Sequence, residues 1–226
     1  MKRFAFLVAA VASVTIACGP RGEKGAVGTT GSGSYEPAAA TPVVSDADKR
    51  FVSDISIANT AEVELGKLAL KQSTSADVKK FGQMVVDDHT SAGQKLRSVA
   101  TAHGIVVPDA MDETHQSLYT KLSGLKGSEF DREYMNAMVD GHEGVLSKLE
   151  GRIDKASLES WKTRMLNTIK GKENPEPPPV VAERSDDPVT FALNEWSAAA
   201  YPTVYRHHQS AKTIDDHVKK APSRTQ

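Results

Sequence analysis

The chain has one cysteine in 226 residues, which excludes an internal disulfide. Its charges nearly cancel, with 28 basic and 29 acidic residues. That balance gives no reason to propose nucleic-acid binding. No credible strand pattern appears, and no apolar run reaches the roughly 20 residues that span a hydrocarbon core. Gly-x-Ser-x-Gly, phosphate-loop and dinucleotide fingerprints are all missing. So is Glu-x-x-His, the signature that dinuclear carboxylate bundles place on two of their helices. The residues three before His89, His142 and His207 are Val86, Val139 and Val204. A complete di-iron oxidase site is therefore not expected.

The N-terminus carries the first positive signal. Lys2 and Arg3 precede an apolar run from Phe4 to Ala17, the pattern of a bacterial export signal over residues 1–17. Thr15-Ile16-Ala17-Cys18 resembles a lipobox, which implies a diacylglyceryl group on Cys18 as the mature N-terminus, although Thr15 departs from the usual leucine. The other reading is an ordinary secretory signal cut nearby. Gly19, rather than Asp, follows the cysteine; in Gram-negative lipoproteins this implies the outer membrane. Without the signal, 26 basic and 29 acidic residues remain, a net charge of −3. Residues 18–45, rich in Gly, Ala, Ser, Thr and Pro, read as a flexible tether.

From residue 46 to 217 helical spacing dominates. The first stripe is Phe51, Ile55, Ala58, Glu62, Leu65 and Ala69, on a helix from Asp46 to Gln72. A second helix starts at the Ser75 cap, ends at His103-Gly104 and carries Val78, Val85, His89, Ala92, Leu96 and Ala100. After Pro108 comes a short amphipathic piece with Met111, Leu118 and Leu122. The third long helix, Ser128 to Asp154, aligns Tyr134, Met138, His142, Val145, Leu149 and Ile153. A weaker helix with Leu158, Trp161, Met165 and Ile169 stops at Gly171, before the proline-rich Asn174 to Pro179. Asp187-Pro188 is a cap followed by proline at the first helical position. It opens a last helix that aligns Leu193, Trp196, Ala200, Thr203, Val204, His207 and Ala211, with a kink expected at Pro202. Residues 218–226 read as a disordered tail. The link between the second and third long helices is long enough to run the length of a bundle, on the order of 45 Å.

Each long stripe thus has one metal-capable residue near its middle: Glu62, His89, His142 and His207. Two of them close near-copies of one phrase, MVVDDH and AMVDGH. A polar layer inside a bundle costs stability unless its members satisfy each other or hold a ligand. Three histidines and a carboxylate suit Fe²⁺, Zn²⁺, Mn²⁺ or Cu²⁺. The bland alternative is a hydrogen-bonded layer that sets helix register. Asp88, at a stripe edge, stays a further candidate ligand. Asp87, Asp140, Glu64 and His208 lie off their stripes, and His103 lies about 21 Å along the axis from His89. Met84, Met135 and Met138 read as core filler.

From Phe51 to Ala211 the chain resembles a bacterial family of exported domains of unknown function with a ferritin-like bundle. The matching phrases are FVSDISIANTAEVELGKLAL, DVKKFGQMVVDDHTSAGQKL, FDREYMNAMVDGHEGVLSKLE and YPTVYRHHQSA. The resemblance puts the family's recurring positions on Glu62, Asp88, His89, Asp131, Tyr134, His142, Pro202 and His207. It implies an all-α, up-down four-helix bundle with a long crossover between its second and third helices and a short extra helix. An insertion at 156–185 leaves open which segment is the fourth bundle helix; the last one is chosen because it carries Pro202 and His207. The expected protein is an envelope-anchored lipoprotein, attached to the membrane by its N-terminal lipid, that binds or interacts without turnover. The alternative is a metal-dependent redox or ferroxidase-like enzyme.

Overall fold

The computed structural model describes residues 43–171 and 177–220. The signal segment, Cys18 and nearly all of the tether lie outside the described residues. The regular structure among the described residues is all helical, apart from an isolated bridge between Ile153 and Ala182. Its helices are α1 (Asp46–Gln72), α2 (Ala76–Ala102), α3 (Glu113–Ser123), α4 (Gly127–Glu150), α5 (Lys155–Ile169) and α6 (Pro188–Lys220).

Side-chain caps start most of them. Ser45 accepts from the Asp48 N–H, Ser75 from Val78, Asp112 from His115 and Asp154 from Ser157, each satisfying one of the orphan donors of a first turn. Asp187 accepts from the Thr190 N–H at 2.7 Å, with Pro188 as the first residue of α6. Two boundaries differ from the sequence reading. The third long helix stops at Glu150 because Arg152 and Asp154 bond the returning chain: Glu183 N–H donates to Arg152 O, and Asp154 N–H to Val181 O. The last helix runs to Lys220, three residues into the segment expected as tail.

Four helices, α1, α2, α4 and α6, form the bundle, with α1 beside α2 and α4, and α6 beside α2 and α4. The fourth bundle helix is thus α6, while α5 packs outside it, Trp161 lying edge-on to Tyr201 and Tyr205 at centroid distances of 5.5 and 5.2 Å. One end is tied together by Arg152. Its guanidinium donates to Asp48 at 2.8 Å and to Asn194 at 3.1 Å, and lies 3.9 Å over the Phe51 ring. Thr190 donates to the same Asp48 at 2.7 Å. The N-termini of α1 and α6 therefore meet the C-terminal end of α4. With the tight α1–α2 turn, α2 and α4 run the same way, so the chain between them must return the length of the bundle. The α3 segment makes that crossing, and Gln72 at the end of α1 donates to Ser123 O at the end of α3.

The apolar core divides in two. Phe51, Ile55, Leu96, Leu149, Leu193 and Tyr201 fill one end; Leu65, Val85, Phe130, Tyr134, Met138 and Ala211 fill the other. Between them, at one level on all four helices, sit Glu62, His89, His142 and His207. Met135 and Met138 are buried in the second half, with Met84 against it, as core filler.

Close approach of α1 to α2 sets the level of the first two. A Cβ on Gly66 would stand 2.8 Å from Gly82 O and 2.9 Å from a Val86 methyl; one on Gly82 would stand 3.1 Å from Gly66 O. Only a hydrogen fits where a backbone oxygen is that near. Gly66→Ala is expected to lower stability by about 1–3 kcal/mol through overpacking. Gly144→Ala, on a solvent-facing position of α4 with nothing within 4 Å, should be neutral or stabilising by up to about 1 kcal/mol. Urea unfolding of the two variants checks the contrast.

Candidate metal centre

The three imidazoles form a near-equilateral triangle, with ring centroids 5.5 Å apart for His89–His142, 5.4 Å for His89–His207 and 5.5 Å for His142–His207. One ring nitrogen from each lies within 4.8 Å of the others. All are buried, His142 completely, and Glu62 is only 4 % exposed.

The partners of the other ring nitrogens decide which atoms face the middle. His142 Nδ1 lies 2.9 Å from the Met138 carbonyl, an acceptor, so it carries the proton and Nε2 presents a lone pair. His207 Nε2 lies 2.9 Å from the Asp88 carboxylate and donates to it, which leaves Nδ1 bare. His89 Nδ1 lies 2.8 Å from Glu62 Oε2, and His89 Nε2 faces His207 Nδ1 at 3.3 Å. Among the described residues His142 Nε2 has no hydrogen-bond partner. Three histidines therefore have one nitrogen tied to an acceptor and the other turned inward.

Glu62 stands behind this set. Oε2 approaches His89 Nδ1 and Oε1 lies 3.3 Å from His142 Nδ1, the nitrogens on the outer side of both rings. The 2.8 Å contact of Glu62 Oε2 with His89 Nδ1 is a buried ion pair. Asp88 is half exposed and behind His207 in the same sense. Asp87 and Asp140 are exposed, and Glu64 pairs with Lys67 at 2.7 Å. His103 caps the end of α2, away from the cluster. His208 is half-buried and outside it, with Glu143 and Lys212 as its charged neighbours.

Asp131 and Tyr134 are also buried without joining the three nitrogens. Burial raises the Asp131 carboxyl, against bonds from Ser73, Ser75 and Thr74 in the α1–α2 turn. Burial, and secondarily Glu62, raises the Tyr134 phenol, whose hydroxyl has no partner among the described residues. Its ring packs edge-on to Phe81 at 6.4 Å, and Phe81 in turn lies 6.0 Å from His142 and 6.4 Å from His207. Sequence reading passed over Phe81, though it falls between Val78 and Val85 at helical spacing.

Burial would raise Glu62, but the histidines hold it down to about 2. Burial depresses His142, and burial together with His89 and His142 takes His207 down to about 4. His89 alone goes up: Glu62 outweighs its burial. Glu62 therefore stays a carboxylate and favours a proton on His89. A protonated His89 donates its Nε2–H to the bare His207 Nδ1 across the 3.3 Å between them.

An all-helical bundle with three buried imidazoles turned on one point is the class that this geometry defines. The family model described as Domain of unknown function (DUF4142) matches residues 34–174, well over half of the chain, which belongs to that family. The matched span holds Glu62, Asp88, His89 and His142 and ends before α6, so His207 comes from outside it. No curated protein and no solved structure matches the chain.

The shifts set the pH dependence of the metal-free protein. Between about 4 and 6.5 the unfolded chain binds a proton at residue 207 that the folded chain refuses, so this contribution is present above 6.5 and lost as pH falls. It amounts to up to about 3 kcal/mol. His142 runs the same way, and Glu62 adds a loss between 4.5 and about 2. His89 runs opposite: its contribution is full below 6.5 and lost as pH rises through its raised value. With chelator present, the urea midpoint should fall from pH 6.5 to 4, and His207→Phe should flatten that fall.

Proposed function

We propose that this protein is an envelope-anchored bundle that binds one transition metal ion through His89 Nε2, His142 Nε2 and His207 Nδ1, without turnover. The observation that carries the reading is the inward convergence of three buried nitrogens whose outer partners already hold the N–H. Neutral imidazoles in that arrangement present three acceptors to one another, and one cation bound by all three satisfies them together. Two nitrogens bound to one ion at about 2.0–2.1 Å and a tetrahedral angle stand about 3.3–3.4 Å apart. His89 Nε2 and His207 Nδ1 stand 3.3 Å apart.

Glu62, Asp88 and the Met138 carbonyl act on the second nitrogens, keeping each ring in the tautomer and orientation that ligation needs. This differs from four equivalent ligands. Imidazole donors suit Zn²⁺, Cu²⁺ or Fe²⁺, and three protein ligands leave a further coordination position. Anchoring rests on the sequence of residues 1–18, in which the lipobox-like Thr15 to Cys18 supplies the lipid site. The ferritin-like reading draws support from the shared direction of α2 and α4 and the crossing between them.

Protein purified without chelator should carry about one ion per chain by elemental analysis and melt higher than the chelated form. An ion at about 100 times its Kd adds roughly 2.7 kcal/mol. His142→Ala should abolish the difference and Asp140→Ala preserve it. Glu62→Gln should weaken metal binding about 10- to 100-fold. Equal melting temperatures with and without Zn²⁺, Cu²⁺ and Fe²⁺ would retire the metal in favour of a hydrogen-bonded layer. Oxygen consumption with Fe²⁺ that depends on His142 would replace binding by the redox-enzyme reading.

Membrane attachment has a separate test. Cys18→Ala should move the protein from the membrane fraction to the soluble one without changing its helical content. Unchanged membrane association would mean that no lipid on Cys18 holds it.

A further inference from the structure

Large apolar side chains stand exposed at five places among the described residues, and three of the five gather at one end of the bundle. They are Val43, Val106 and Val181, at 89, 87 and 57 % exposure. Val43 precedes the start of α1, Val106 follows the end of α2, and the Val181 carbonyl accepts from the Asp154 N–H just beyond the end of α4. The Arg152 contacts bring the starts of α1 and α6 to that end of α4, and the tight α1–α2 turn returns α2 to it. Packed helices of about 10 Å diameter make an end face roughly 20 Å across, so the three valines share one footprint.

The chain around each of them alternates. Val44, Ile105, Val107, Val180 and Ala182 turn into or against the core, while the valine beside or between them turns out. Where non-helical chain alternates in this way, the outward position is ordinarily polar, because nothing covers it. A single exposed valine needs no explanation; one at each of three such positions on one face does. Charges at this end come in both signs, Lys49 with Asp46 and Arg152 with Asp48, so the apolar contact decides what the face takes.

The chain that precedes Val43 selects the occupant. Residues 18–42 separate Val43 from Cys18, the lipid site in the reading above, and a flexible coil of that length averages about 25–30 Å end to end. A lipid on Cys18 holds this end of the bundle nearer the bilayer than the end with Phe130 and Ala211. At such a reach the effective concentration of the surface is on the order of millimolar, so a contact too weak to capture free protein suffices. We propose that Val43, Val106 and Val181 form a membrane-docking face, which seats the end of the bundle in the interface of a zwitterionic bilayer. The docking rests on the anchor reading for its proximity to lipid and on nothing at the metal centre. It stands the helices upright, with the histidines about 20 Å above the surface.

Full-length protein in phosphatidylcholine vesicles, with an environment-sensitive fluorophore on Val106→Cys or Val181→Cys, tests the face. Asp140→Cys, at an exposed position on the side of α4, is the control. A lipid on Cys18 leaves the introduced thiol as the one to label. Lipids brominated along their acyl chains should quench the labels at 106 and 181 several-fold more than the label at 140. Each valine withdrawn from water is worth about a tenfold gain. Adding Val43→Ser and Val181→Ser to the Val106→Cys protein should therefore cut the quenching several-fold, with helical content unchanged. Protein that floats with the vesicles but whose three labels are quenched alike would overturn the face while the anchor stands. Quenching undiminished by the two serines would do the same. Labels shielded from aqueous iodide yet unquenched by lipid would give the face to a second copy of the chain instead. Protein that does not float with the vesicles would overturn anchor and docking together.

Discussion

Everything at the centre of this bundle turns on one contact, the 3.3 Å meeting of His89 Nε2 with His207 Nδ1. Glu62 commits the far nitrogen of the first ring and Asp88 that of the second. Two lone pairs cannot face each other at that distance, so one nitrogen must carry a proton or both must bind a cation. Glu62 favours a proton on His89, while burial depresses His142 and His207. A metal ion can take the proton's place and engage His142 Nε2 as well. The buried carboxylate then balances charge in either state.

The fold holds this contact in place from two sides. The Gly66–Gly82 approach brings α1 against α2, which sets Glu62 beside His89. Arg152, bound to Asp48 and Asn194 and stacked on Phe51, holds the far end, where α1, α4 and α6 meet. Two apolar halves then exclude water above and below the polar layer. A buried charge pair of the Arg152–Asp48 kind adds little net stability against an apolar replacement, yet it is costly to break. Its use here is to set which helix ends come together, and through them the level of the histidines.

Much of the fold was legible because helix period and caps are local. Ser75 and Asp187-Pro188 mark the starts that the structure has, and the stripes through Glu62, His89, His142 and His207 face inward as their spacing requires. The last helix, chosen for Pro202 and His207, is the fourth member of the bundle. The end of α4 was not legible, since it depends on backbone bonds from residues 181 and 183, some 30 positions away. Phe81 was overlooked although its spacing fitted, and the role of Arg152 could not be read, because each draws its meaning from helices distant in sequence.

A helical wheel reports the face on which a residue lies; it carries no information on the axial level of one helix against another, or on which nitrogen of a ring points where. The chain alone determined that one carboxylate and three imidazoles enter the core, since apolar burial orients each stripe. Only the tertiary structure decided that Glu62 stands behind the histidines and not among them. The same holds for Asp88, which engages His207 across 119 residues of chain. The inward nitrogens follow from those acceptors, and the acceptors are placed by packing between helices, an interaction that no single segment contains.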